Sequence, residues 1–232
     1  MQKRKLALFD IDKTIYDGYI IFSLADYQFK RKIIDKNCLE SLYKDLYLYK
    51  DKKIDYETTV ENLNLHWAIG LKDLSYKLIL DIAKNFFTLE EENNFFPFVK
   101  DLISLFKSTH DIYFITGELQ FIARAASELF SVTSFISSEL EVKDGVVTGK
   151  INKSLAKRQE KKMAISYLLN KHDSKNSFAF GDSEGDIEML NSVEFPICIN
   201  PTEELKEIAK AKKWYIVNTE NILDIVKNKI QN

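Results

Sequence analysis

Residues 6–9, Leu-Ala-Leu-Phe, form a short unbroken apolar run that stops at Asp10-Ile11-Asp12. A run without alternation predicts a strand buried on both faces, and acids directly after it predict a polar loop. From about 20 to 87 the spacing is helical. Leu39, Leu42, Tyr43 and Leu46 recur at i, i+3, i+4 and i+7. Leu71, Leu74, Leu78 and Ile82 predict a second stripe, and Val60, Leu63 and Trp67 a shorter one. No strand pattern interrupts this segment, and the stripes read as helix packing. After Pro97 helices and strands alternate. The pattern predicts a helix at 98–106, a strand at 111–117, a helix at 119–130 and a short strand at 135–136. Two arms, 139–142 and 146–148, then flank Lys143-Asp144-Gly145 as a hairpin. A helix reaching about 170 leads to a strand at 177–182. Strands at 195–199 and 214–217 follow, with a helix at 203–211 between them and another helix to close the chain.

Repeated strand–helix units predict an α/β fold: a Rossmann-like core of parallel strands with helices on both faces. The core takes residues 1–15 and 95–232, and an all-helical insert takes 16–94. A chain of 232 residues has room for both. In such sheets a ligand binds at the carboxyl ends of the strands. Three polar clusters fall there: Asp10, Asp12 and Thr14; Thr116 and Gly117; Gly181, Asp182 and Asp186. They are scattered in the chain, and the fold would gather them on one edge.

Composition narrows the partners. Apolar residues make up 45% and charged residues 29%, ordinary globular values, and 33 basic against 35 acidic side chains leave a formal charge of −2. That balance points to neither a nucleic acid nor a membrane surface. The basic start, Met1-Gln2-Lys3-Arg4-Lys5, is followed by too short an apolar run for a signal peptide. The run from Gly18 to Leu24 is too short for a span. Cys38 and Cys198 lie far apart and read as reduced, buried thiols, so the expected location is the cytoplasm. Nothing in the chain sets the oligomeric state.

Asp10 and Asp12 stand two positions apart at a strand end, where both carboxylates can face one way. With Asp182 they put three acids on one edge. Such acids repel unless a cation lies between them, and oxygen donors of this kind suit Mg²⁺. Each cluster also has a plain structural reading. Asp10-Ile-Asp can be a polar turn, Ser183 with Asp186 a helix capping box, and Thr116-Gly117 a capped turn into a helix. His66, His110 and His172 lack ligand spacing and read as ordinary histidines.

The order Asp10-x-Asp12-x-Thr14, then Thr116-Gly117, then a helical lysine, then Gly181-Asp182-Ser183-x-x-Asp186 resembles the haloacid dehalogenase superfamily of phosphatases. The insert resembles that family's type 1 cap. The stretch Phe195-Pro-Ile-Cys-Ile-Asn-Pro is similar to the phosphoserine phosphatase-like branch, subfamily IB. The resemblance implies a Mg²⁺-dependent phosphomonoesterase for a small molecule. Asp10 would be the nucleophile and Asp12 the acid–base, with its backbone carbonyl on the metal. Thr116 and the Gly117 amide would hold phosphate oxygens, as would Thr14. Asp182 and Asp186 would complete the metal site with Asp10 and Asp12.

The lysine lies within Asn152–Lys162, a run whose other basic residues read as a solvated face. Lys161 is preferred because Ile165 and Leu168 would then pack inward, and Lys162 stays as the alternative. Phosphoserine phosphatases carry a glutamate a few residues after the motif threonine. Here that place holds Tyr19, which predicts a substrate other than phosphoserine, although Asp17 could replace the glutamate and Tyr19 could simply pack a helix. Two other activities share such a core. One is a phosphotransferase or phosphomutase, and the other a receiver-like phospho-acceptor without turnover.

Overall fold

Strand β1 (Lys5–Phe9) occupies the first apolar run, with Leu6 to Phe9 fully buried. In this computed structural model, which describes residues 3–90 and 94–231, four helices follow: α1 (Ile20–Lys30), α2 (Lys36–Lys50), α3 (Tyr56–Gly70) and α4 (Tyr76–Glu90). Met1 and Gln2 of the basic start, and residues 91–93 near the expected end of the insert, lie outside the described residues. Helices α2 and α3 begin alike. Asp35 accepts from the Cys38 amide and Asp55 from the Thr58 amide, each satisfying a donor the helix leaves free.

One expected stripe is corrected. Leu71 caps the end of α3, Leu74 lies beyond it in a turn, and Leu78 is 43% exposed. Helix α4 buries Ile79, Ile82, Ala83, Phe86 and Phe87 instead. The leucines keep helical spacing across a turn in which Asp73 takes a left-handed φ of 65°.

Helix α5 (Val99–Phe106), strand β2 (His110–Leu119) and helix α6 (Gln120–Phe130) follow the expected alternation. The short strand at 135–136 and the first hairpin arm are one strand, β3 (Ser134–Lys143). Ser137 and Ser138 hid the continuity: both are polar yet buried. Strand β4 (Val146–Lys153) returns antiparallel through Asp144-Gly145, whose φ values of 49° and 79° suit a two-residue hairpin loop. The chain ends as α7 (Arg158–Lys171), β5 (Asp173–Gly181), α8 (Ile187–Leu190), β6 (Phe195–Ile199), α9 (Glu203–Lys212), β7 (Tyr215–Val217) and α10 (Ile222–Gln231).

The seven strands form one sheet in the order β4-β3-β2-β1-β5-β6-β7, parallel except between β3 and β4. β1 is the middle strand. Ala7 and Phe9 join the large apolar cluster with α5 and α6, while Leu6 and Leu8 join a smaller one with α7, α8 and α9. Two buried faces explain why β1 shows no alternation.

Helices α1–α4 share the large cluster through Leu24, Leu42, Trp67 and Phe86. The turn after α3 is also bound to the hairpin by backbone. Asp73 N–H donates to Val147 O (2.9 Å), Val147 N–H to Leu74 O (3.0 Å) and Tyr76 N–H to Gly145 O (2.9 Å). Among the described residues no helix is long and apolar enough to cross a membrane. Cys38 and Cys198 are buried free thiols.

Candidate active site

The register of the sheet brings the scattered motifs together. Phe9 pairs with Phe114 on one side and Phe180 on the other. The residues just beyond, Asp10, Thr116 and Asp182, therefore emerge at one level. Phe9 and Phe180 stack at 4.4 Å beneath them.

Helix α7 adds the cation. Lys161 Nζ lies 2.9 Å from Asp186 Oδ1 and 3.6 Å from Asp10 Oδ1, with its side chain 5% exposed. Ile165 and Leu168 on the same face are buried. Lys162 points away and pairs with Glu188 at 3.1 Å. Of the two lysines only Lys161 reaches the acids.

Asp186 is held on both oxygens. Oδ1 accepts from Lys161, and Oδ2 accepts from the amides of Asp182 (3.2 Å) and Ser183 (3.3 Å). Ser183 and Asp186 form the reciprocal capping box on a short 3₁₀ turn, Glu184–Asp186. Gly181 permits this fold-back, because a Cβ there would lie 2.5 Å from Asp186 Cβ.

Asp12 Oδ1 accepts from the Ile20 amide at 2.9 Å, so it caps α1 from outside that helix, while Tyr19 at the N-cap makes no such bond. The Gly117 carbonyl accepts from Asn64 Nδ2 (2.9 Å) and Ser138 Oγ (2.7 Å), which fixes that peptide's orientation.

These groups face a cavity of about 110 Å³. Asp10, Asp12, Thr116, Gly117, Glu118 and Asp182 line one side, and Tyr19, Phe22, Leu46, Tyr49, Tyr56 and Leu63 from α1–α3 the other. Thr14 is not brought to it. It is fully buried and its Oγ1 has no hydrogen-bond partner. Tyr19 stands at the wall, 46% exposed, with Lys13 Nζ 5.8 Å from its ring.

Burial dominates the electrostatics. It raises the Asp10 carboxyl well above the ordinary range, Asp186 adds to this, and Lys161 opposes it. Asp182 is raised in the same way, by burial and then by Asp186. Asp12 is raised by burial against hydrogen bonds from Glu118 and Ile20. Burial works against the Lys161 ammonium, but Asp186 and Asp10 outweigh it and hold the lysine above its usual range. Carboxyl oxygens of Asp10, Asp182 and Asp186 lie within 4.8 Å of one another. Three buried carboxyls with one lysine between them are short of positive charge. An all-oxygen set of this kind fits Mg²⁺. The side chain of Asp12 stands outside that trio.

Sequence reasoning missed Glu118, Tyr56, Asn64 and Ser138. Glu118 falls between the strand expected to end at 117 and the helix expected from 119, yet β2 runs on to Leu119 and keeps it 8% exposed. Tyr56 and Asn64 belong to α3 and share the face of its apolar stripe, where they read as part of the helix packing.

Known proteins are similar to this chain in sequence and in fold. The family model described as haloacid dehalogenase-like hydrolase matches residues 7–191. The chain is similar to a histidinol-phosphatase of Neisseria meningitidis serogroup C (strain 8013), 24% identical over 93% of this chain and 99% of that protein. A structure of a protein of unknown function from Bordetella pertussis Tohama I superposes with a TM-score of 0.76 at 21% identity, covering 94% of this chain and all of that one. A phosphoserine phosphatase solved as an analogue of its phospho-aspartyl intermediate gives 0.67 at 19% identity, covering 97% and 99%. The chain thus belongs to the haloacid dehalogenase-like hydrolases, as an enzyme of their phosphatase type with the fold of the phosphoserine phosphatases.

Proposed function

We propose that this enzyme hydrolyses a small-molecule phosphomonoester in two steps through a phospho-aspartate on Asp10. The observation that carries the reading is the placement of Asp10. It stands at the cavity wall with Lys161 at 3.6 Å behind it and Thr116 and Gly117 beside it. In the first step an Asp10 oxygen attacks phosphorus, the bond to the leaving oxygen breaks, and Asp12 gives that oxygen a proton. Burial of Asp12 suits it to hold a proton until then. In the second step water attacks phosphorus, Asp12 takes the water's proton, and the Asp10–phosphorus linkage breaks to release phosphate. Thr116 Oγ and the Gly117 amide hold the phosphoryl oxygens, and Lys161 balances charge as it builds. Asp10, Asp182 and the Asp12 carbonyl would hold Mg²⁺, with Asp186 fixing the set from behind. The ion's contribution is to screen the like charges of nucleophile and phosphate. Helices α1–α4 act as the lid that excludes water from the acyl phosphate.

The size of the cavity supports a small molecule over a polymer, and the wall that α1–α3 raise opposite the acids supports turnover over a receiver-like switch. A phosphotransferase would share every one of these groups and differ only in its acceptor. The Neisseria relative makes histidinol phosphate the first ester to assay. The test is acid-quench trapping of a labelled phospho-enzyme from a turned-over ester with Mg²⁺ present. Label should remain on the wild type and be absent from Asp10→Asn. Label retained by Asp10→Asn rejects the mechanism.

A further inference from the structure

The groups assigned to the phosphoryl oxygens lie where the sheet stops holding β2. The register of β2 with β1 ends at Phe114, and its register with β3 breaks between Ile115 and Leu119. Residues 116–118 therefore take their orientation from groups outside the ladder, and Gly117, without a side chain, has the most backbone freedom to lose. Helix α3 supplies the hold. Val60 lies so close that a Cβ on Gly117 would meet its Cγ1 at 3.2 Å. One turn further on, Asn64, 3% exposed, reaches the Gly117 carbonyl.

These bonds run on from one group to the next. A carbonyl can only accept, so it is the Asn64 amide nitrogen that faces it, at 2.9 Å. Ser138 Oγ gives its single proton to the same carbonyl at 2.7 Å. That hydroxyl, fully buried, accepts in turn from the Leu155 amide at 2.9 Å and from Asn64 Nδ2 at 3.3 Å. The peptide from Gly117 to Glu118 is a rigid plane, and its other end, the Glu118 N–H, donates to Thr116 Oγ1 at 3.2 Å. Asn64 is thus joined to the Thr116 hydroxyl through a single peptide plane. Because Thr116 Oγ1 takes this bond on a lone pair, its own proton stays available for an acceptor in the cavity, which Thr116 lines.

The geometry points to Asn64 as a positioning residue of the reaction, one that sets the plane aiming the Thr116 hydroxyl at a phosphoryl oxygen. This rests on the phosphatase reading of the same cavity. Two consequences separate it from a substrate contact and from a purely structural role. The loss on removing Asn64 falls on the phosphoryl side, so it is the same for unlike leaving groups. It also passes through Thr116, so it disappears once that hydroxyl is gone.

The test is a double-mutant cycle on Asn64→Leu and Thr116→Val, with Mg²⁺, read as kcat/KM for p-nitrophenyl phosphate and acetyl phosphate and as inhibition by orthovanadate. In the wild-type background Asn64→Leu should lower kcat/KM for both compounds by the same factor, about ten- to a hundredfold, and weaken orthovanadate by about tenfold or more. In the Thr116→Val background the same change should cost about threefold or less. An unchanged rate in Asn64→Leu, or a full loss in both backgrounds, overturns the inference and leaves the phosphatase reading intact. So does a loss that differs between the two compounds by more than about threefold. A wild type that turns over neither compound rejects both readings. Should Asn64→Leu not fold, the wild type decides by NMR: orthovanadate with Mg²⁺ should shift the Asn64 side-chain amide resonances, and unmoved resonances overturn the assignment.

Discussion

Lys161 and Lys162 are neighbours in the chain and face different surroundings, one buried between two aspartates and the other paired at the surface with Glu188. Lys161→Ala should lower kcat by about two to three orders of magnitude, the scale of losing one preorganised stabilising group. Lys162→Ala should stay within a few-fold of wild type in the same steady-state assay. His110 carries a prediction about stability. It is 3% exposed, with Nε2 against the Asn176 carbonyl (2.9 Å) and Nδ1 near Thr109 Oγ1 (2.7 Å), and burial lowers its pKa from 6.5. The unfolded chain thus takes up this proton more readily than the folded one. Stability should be full above about pH 6.5 and fall as pH drops towards the folded value. Denaturant midpoints across that window should show the decline, and His110→Asn should flatten it. The acids at 10, 12 and 182 were legible because each stands at or just past the end of a buried apolar run, where packing gives no reason for a charge. Glu118 was not, since its burial depends on β2 running past the motif.

At the scale of elements, α7 begins without a cap of its own: Lys157 at its N-cap makes no side-chain bond to the helix. The missing acceptor comes from α3, where Glu57 Oε1 accepts from the Arg158 amide at 3.2 Å, and Glu61 pairs with Lys157 at 3.2 Å. Helix α3 thereby caps the helix that holds Lys161. Glu57→Ala should cost about 1 kcal/mol of local stability at that end. Hydrogen exchange should quicken in the first turn of α7, and kcat should fall a few-fold. Unchanged exchange there would show that the contact does not order the turn. The stripe through Leu78 shows the limit of periodicity, because a chain can keep a helical spacing of leucines while turning a corner. Strand β3 shows the opposite limit, since two buried serines broke the apolar pattern of a continuous strand.

For the whole molecule, the cluster of Asp10, Asp182 and Asp186 stores repulsion that a divalent cation would relieve. Mg²⁺ should raise the melting temperature of the wild type and do so less in Asp182→Asn. Activity should vanish with chelator and return with Mg²⁺, and Ca²⁺ should restore it poorly because it prefers more ligands at longer distances. Full activity after exhaustive chelation would contradict this. The α/β order was legible because each unit repeats the same switch of period. The coupling of helices α1–α4 to the rest of the chain was not, since it runs through backbone bonds and a cap that no local pattern records. The middle position of β1 has a further consequence, for the ribosome. β1 needs β5 as a partner, and β5 begins only at Asp173, more than 160 residues later in the chain. At roughly 5–20 residues per second the nascent chain carries that apolar strand half-paired for on the order of ten seconds. During that interval Leu-Ala-Leu-Phe is the segment a chaperone would find, and stalled chains ending before residue 173 should stay protease-sensitive there until longer ones close the sheet around it.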